Sequence, residues 1–102
     1  MCSSDLYRQS GFVAAMRDIM ALQDPELRAR NLLGPAEYGS ITAPTLVLWT
    51  SDDPTADVAE GRRIASMIRG ARFEVMPGCG HWPQYEDAKT FNRLHLDFLL
   101  GR

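Results

Sequence analysis

Several things are scarce in this chain of 102 residues. Cysteine occurs twice, as Cys2 and Cys79, which is too few for a disulfide framework and makes a reducing cytoplasm the expected compartment. No apolar run approaches the roughly 20 residues of a membrane span, and the first residues lack the charged region and apolar core of a secretory signal. Neither charge sign dominates. A net charge of −2 gives no electrostatic case for nucleic acid or an anionic membrane as partner. There is no internal repeat and no low-complexity tract. What remains, 45% hydrophobic and 24% charged, is the composition of an ordinary globular protein.

Periodicity divides the chain into helices and strands. Residues 10–22 place Phe12, Met16, Ile19 and Met20 at helical spacing behind a candidate cap at Ser10. Asp24-Pro25 is a cap followed by a first-turn proline and opens a second helix, which Gly34-Pro35 is expected to end. Residues 43–50, APTLVLWT, read as a strand, and SDDPTAD after them as a turn. A helix is expected over 57–69, with Val58, Ile64, Ala65 and Ile68 on one face. ARFEVM reads as a second strand. A closing helix follows over 86–100, with Phe91, Leu94 and Phe98 spaced for burial.

The second half therefore alternates strand, loop, helix, strand, loop, helix, which implies a parallel sheet in an α/β fold. In such sheets chemistry gathers beyond the carboxyl ends of the strands. Two loops lie there: SDDP after the first strand and GCGHW after the second. The topology brings Asp52 or Asp53 near His81, 28 or 29 residues further on. A carboxylate beside an imidazole fixes its tautomer and lets the other ring nitrogen act as general base and then acid. On spacing alone, a loop histidine satisfied by backbone hydrogen bonds is the more ordinary reading of His81, and plain turn chemistry that of Asp52-Asp53-Pro54.

TLVLW is apolar without alternation, as in a strand buried on both faces, yet the chain offers one other convincing strand. Two parallel strands do not make a stable sheet, so the sequence reads as the end of a larger domain. The stretch CSSDL at the start is what TGCTCTTCCGATCT encodes, a string containing the end of a common sequencing adaptor. Residues 1–6 are accordingly expected to be a non-native leader, in which case Cys2 carries no biological information.

PTLVLW…DD…GRRIASMI, GARFEVMPGCGHWPQYED and FNRLHLDFL together resemble the C-terminal part of the α/β-hydrolase fold. More closely they resemble the meta-cleavage product hydrolases, which break a carbon–carbon bond in ring-fission products of aromatic degradation. The string at Cys79, Gly80, His81, Trp82, Gln84 and Glu86 is its most specific part. The resemblance covers 41–102 strongly as core, and 7–40 more weakly as a helical remnant of the cap region. It implies His81 as catalytic histidine, Asp53 as catalytic acid and Trp82 as a substrate-pocket residue. It also implies Cys79 as a packing residue, and Gln84 and Glu86 as shapers of the loop and the last helix. His95, among leucines, reads as a partly buried spacer.

The family usually has glycine after the strand's tryptophan. This chain has Thr50, which keeps Asp52 open as the acid, with Asp53 favoured. The family's nucleophile sits in a G-x-S-x-G elbow. No such string occurs here, and Ser3, Ser4, Ser10, Ser40, Ser51 and Ser66 all lack that setting. The implied parent reaction is hydrolysis of a vinylogous 1,5-diketone to a 2-hydroxydienoate and a carboxylic acid. It needs a small-molecule substrate and water, with no metal or organic cofactor, in a homo-oligomeric enzyme of which this segment alone would be inactive. Two alternatives stand beside it: part of another α/β-hydrolase (esterase or dehalogenase), and a non-catalytic binding module.

Overall fold

The computed structural model describes residues 9–102; the expected leader over 1–6, with Cys2, Ser3 and Ser4, lies outside the described residues. The chain divides into two compact units, the first ending at Leu33 and the second running Gly34–Arg102.

The first unit holds α1 (Phe12–Ala21) and α2 (Pro25–Asn31). Ser10 does not cap α1. Gly11 stands at the N-cap with φ 88°, a left-handed conformation that glycine adopts without steric penalty, and no side chain caps the turn. Asp24 does cap α2, accepting from the Leu27 N–H at 2.9 Å, with Pro25 in the first turn where its missing N–H is not needed. No residue of either helix is buried.

Gly34-Pro35 does not end α2, which stops at Asn31 with Leu32 already extended. In the second unit it opens a short helix, α3 (Pro35–Gly39), whose Glu37 carboxylate accepts from the Gly34 N–H at 2.8 Å. Sequence periodicity cannot show a five-residue helix. Then follow β1 (Leu46–Thr50), α4 (Val58–Met67), β2 (Arg72–Met76), α5 (Pro83–Glu86) and α6 (Ala88–Leu99). Asp57 caps α4 through the Glu60 N–H, and Asp87 caps α6 through the Thr90 N–H, both at 3.1 Å. The expected closing helix is thus two. Glu86 ends the short α5, and α6 starts after Asp87.

β1 and β2 pair in parallel, with Leu46 opposite Arg72 and Thr50 opposite Met76. Alternate side chains serve opposite faces. On one face Leu48 packs with Met76, Cys79, Phe91 and Leu94, so α6 and the loop after β2 close over that side. On the other, Trp49 lies against Gly61 of α4, and the Arg62 guanidinium stands 5.0 Å over the Phe73 ring. Ala65 and Ile68 are buried, while Val58 and Ile64 are half-buried. Of the closing face, Leu94 is buried, with Phe91 and Phe98 half-buried. Among the described residues no helix is long and apolar enough to cross a membrane.

Gly61 is fixed by close approach. A Cβ there would fall 2.5 Å from Trp49 Cδ2. Gly61→Ala is expected to destabilise the protein by about 1–3 kcal/mol, because forcing an atom into a packed contact outweighs alanine's better helix propensity. A lowered midpoint in thermal or denaturant unfolding checks this.

Candidate active site

Thr50 and Met76 end their strands side by side, so the two following loops leave the sheet at one level. Hydrogen bonds then join them. The Ser51 N–H donates to Met76 O and the Asp52 N–H to Cys79 O, each at 3.0 Å. The Gly78 N–H donates to Ser51 Oγ at 2.8 Å, and Thr50 Oγ1 donates to Gly80 O at 2.8 Å. Thr50 is 4% exposed, so its hydroxyl makes this bond away from water. The far end of the acid loop is tied by the Trp49 indole N–H, which donates to Ala56 O at 3.1 Å.

This frame brings Asp53 and His81 together. His81 Nδ1 stands 3.1 Å from Asp53 Oδ2 and 3.3 Å from Oδ1. The Asp53 side chain is 14% exposed and the His81 side chain 53%. Asp52 turns elsewhere, accepting from Ser51 Oγ at 2.9 Å. Asp53 Oδ1 also accepts from the Thr55 N–H at 2.8 Å and from the Thr55 hydroxyl at 2.6 Å. Those two Thr55 bonds, side chain first, hold the Asp53 carboxyl down to about 2 from its ordinary 3.8, with His81 adding a smaller pull.

An open cavity of about 310 Å³ adjoins the pair. It is lined by the end of β1 (Leu48, Trp49, Thr50), by Asp53, and by Gly80, His81, Pro83 and Gln84. Trp82 is not among the lining residues. It is 63% exposed and meets the imidazole edge-on at 5.9 Å.

The histidine loop has its own clamp. Glu86 Oε2 accepts from the Gly80 N–H at 2.8 Å and Oε1 from the Trp82 N–H at 3.2 Å, so one carboxylate grips the backbone on both sides of His81. Cys79 is a buried free thiol in the core cluster. Burial pushes its pKa up, and the charges of Glu86, Asp87 and Asp52 add to the effect, which favours the protonated thiol. His95 is half-buried, its Nδ1 2.8 Å from Phe91 O and its ring against the Phe91 ring. Among the described residues no group of three or more His, Cys, Asp or Glu side chains is arranged to hold a metal ion.

Such an arrangement can carry a proton. A carboxylate faces one imidazole nitrogen, and among the described residues nothing hydrogen-bonds the other, Nε2. Residue pattern put Asp52 or Asp53 near His81, the family resemblance favoured Asp53, and it is Asp53 that stands against the ring. The pattern missed Thr50 as a tie between the loops and Thr55 as a partner of the acid, since each contact depends on how the loops meet.

Known proteins resemble this chain. A family model described as the alpha/beta hydrolase family matches residues 4–94. The chain belongs to that family. Its curated relatives are meta-cleavage product hydrolases. A 2-hydroxy-6-oxononadienedioate/2-hydroxy-6-oxononatrienedioate hydrolase of Cupriavidus pinatubonensis is 48% identical over 64 residues, 63% of this chain and 22% of that protein. A 2-hydroxy-6-oxo-6-phenylhexa-2,4-dienoate hydrolase of Burkholderia cepacia is 46% identical over 61 residues, 60% of this chain and 21% of that protein. The meta-cleavage product hydrolase of Pseudomonas fluorescens IP01 superposes with a TM-score of 0.74 over 91% of this chain and 34% of its own. At 24% identity it speaks for the fold. The matched segment spans between a fifth and a quarter of the curated relatives' length.

Two measurements probe the local physics. Because the Asp53 carboxyl is held below its unfolded value, its contribution to stability is present above pH ~4 and is lost as pH falls towards about 2. Asp53→Asn is expected to remove that acid-side step from a plot of Tm against pH. Glu86→Ala should cost about 1.5–3 kcal/mol, the range for a hydrogen bond to a charged group. It should also speed amide exchange at Gly80 and Trp82, read by hydrogen–deuterium exchange.

Proposed function

We propose that this segment is the acid-and-histidine part of a serine-type hydrolase. The enzyme would cleave a carbon–carbon bond in meta-ring-fission products of aromatic breakdown, of the 2-hydroxy-6-oxo-dienoate type. The observation that carries the reading is the Asp53–His81 pair, 3.1 Å apart at the ends of adjacent parallel strands, in a chain whose curated relatives are hydrolases of that kind.

In this reading the Asp53 carboxylate accepts the Nδ1 proton, orients the ring and stabilises the imidazolium formed when Nε2 takes a proton. His81 Nε2 removes the proton of a serine hydroxyl or of water and returns one to the departing carbon, which ends as the 2-hydroxydienoate. Water supplies the oxygen of the carboxylic acid product, so the overall change is hydrolysis with no redox partner. Trp82 offers a substrate approaching His81 an exposed apolar surface. The sequence contains no G-x-S-x-G string. The serine and the oxyanion donors are assigned to parts of the fold beyond these residues, and the segment by itself is inactive. The complete enzyme is a cytoplasmic homo-oligomer acting on a small molecule.

Kinetics of the complete protein test this. Rapid loss of the yellow ring-fission chromophore is expected, with turnover lowered ~10⁴-fold by Asp53→Asn, as for the analogous change in serine proteases, and little altered by Asp52→Asn. Ester turnover with no loss of the chromophore would move the chemistry to another class of hydrolase. A damaging Asp52→Asn beside a silent Asp53→Asn would move the acid.

A further inference from the structure

Asp53 does not meet His81 alone. Thr55 stands two residues after the acid and bonds it twice, through its N–H at 2.8 Å and its hydroxyl at 2.6 Å, both to Oδ1. The same hydroxyl oxygen lies 3.3 Å from His81 Nδ1. The imidazole nitrogen therefore faces three oxygens: Asp53 Oδ2 at 3.1 Å, Asp53 Oδ1 at 3.3 Å and Thr55 Oγ1 at 3.3 Å.

Proton counting decides what this cluster does. A threonine hydroxyl has one proton to give. Its 2.6 Å contact is to a carboxylate oxygen, the stronger acceptor, so that proton goes to Oδ1. Towards His81 the hydroxyl can then only accept. A carboxylate is acceptor-only as well. All three atoms around Nδ1 thus ask for a proton and none offers one, which places the hydrogen of a neutral imidazole on Nδ1 and the lone pair on Nε2.

We propose that Thr55 is a positioning residue for the Asp53–His81 pair: its N–H and hydroxyl bind Asp53 Oδ1 and hold the carboxylate so that Oδ2 faces Nδ1, which keeps the tautomer with Nε2 as base. Thr55 acts through Asp53 and touches no reacting atom. The inference deepens the hydrolase reading and rests on it for its catalytic consequence, but not for its tautomer consequence. A turn-former's role would be served by the backbone N–H alone; the hydroxyl is what this proposal adds.

The hydroxyl can be removed at nearly constant shape. Thr55 is solvent-exposed, so Thr55→Val is not expected to disturb a core. In the complete protein, Thr55→Val should lower kcat about 10–100-fold, the rate equivalent of one hydrogen bond to a charged group. KM should stay close to wild type, Tm above pH ~4 should fall with the lost bond to Asp53, and Thr55→Ser should restore both kcat and Tm. Without substrate, the low-field proton resonance of His81 Nδ1–H and the ring ¹⁵N shifts should report the Nδ1–H tautomer in wild type and Thr55→Ser, and a weakened signal in Thr55→Val. Unchanged kcat and an unchanged resonance in Thr55→Val overturn the proposal, as does Thr55→Ser failing as badly as Thr55→Val. If the complete protein hydrolyses neither diketone nor ester while the resonance still depends on the hydroxyl, the hydrolase reading falls and the Thr55 assignment stands.

Discussion

Thr50 opposite Met76 is the constraint from which the site follows. Parallel strands that end in register release their loops at the same height. Backbone groups freed there must find partners, and here they find each other: Ser51 N–H with Met76 O, Asp52 N–H with Cys79 O. A slip of one residue would turn the Trp49 and Leu48 sides of β1 over, exchanging the α4 face with the α6 face. It would also carry the acid loop out of reach of the histidine loop. The chemistry is therefore set by the same hydrophobic pattern that sorts the two faces of the sheet.

Each carboxylate near His81 divides its two oxygens between separate tasks. Asp53 gives Oδ1 to Thr55 and Oδ2 to the imidazole. Glu86 gives Oε2 to Gly80 and Oε1 to Trp82. The first arrangement fixes an acceptor and the second fixes the backbone that carries the ring. A histidine whose side chain is half exposed has little packing to hold it. Its position instead comes from hydrogen bonds to carboxylates on both sides, Asp53 on the ring and Glu86 on the backbone, at 2.8–3.3 Å.

Much of this was legible in the sequence because it is local. The cap at Asp24, the Pro25 first turn, the two strands and the alternation that makes a parallel sheet are all encoded within a few residues of where they act. So were Asp53 and His81 as loop residues at strand ends. Ser10 misled because a preferred cap residue was followed by Gly11, whose left-handed φ of 88° starts the helix one position later without a side-chain cap. Glu86 was legible as a loop-shaping residue but not as a clamp, because its partners are amides and no pattern of side chains reveals them. Thr50 stood out as a departure from the family's glycine. Its use, a buried hydroxyl bonded to Gly80 O across the loops, required the structure.

The acid, the histidine, the ties between their loops and the clamp behind them all lie between Thr50 and Glu86. The surfaces around them are less complete. The strands are half-buried apart from Thr50 and Met76, Leu96, Leu99 and Leu100 of the closing helix region stand exposed, and a two-stranded parallel sheet is below the usual size for independent stability. Solved relatives align with this chain over about a third of their own length. In the proposed enzyme, then, stability and the nucleophile would come from the remaining sheet, while the geometry of the base is fixed within one strand–helix–strand unit. Substitutions in the wider fold would move the serine relative to His81 without altering the Asp53–His81 distance, and substitutions at Thr50, Thr55 or Glu86 would do the reverse.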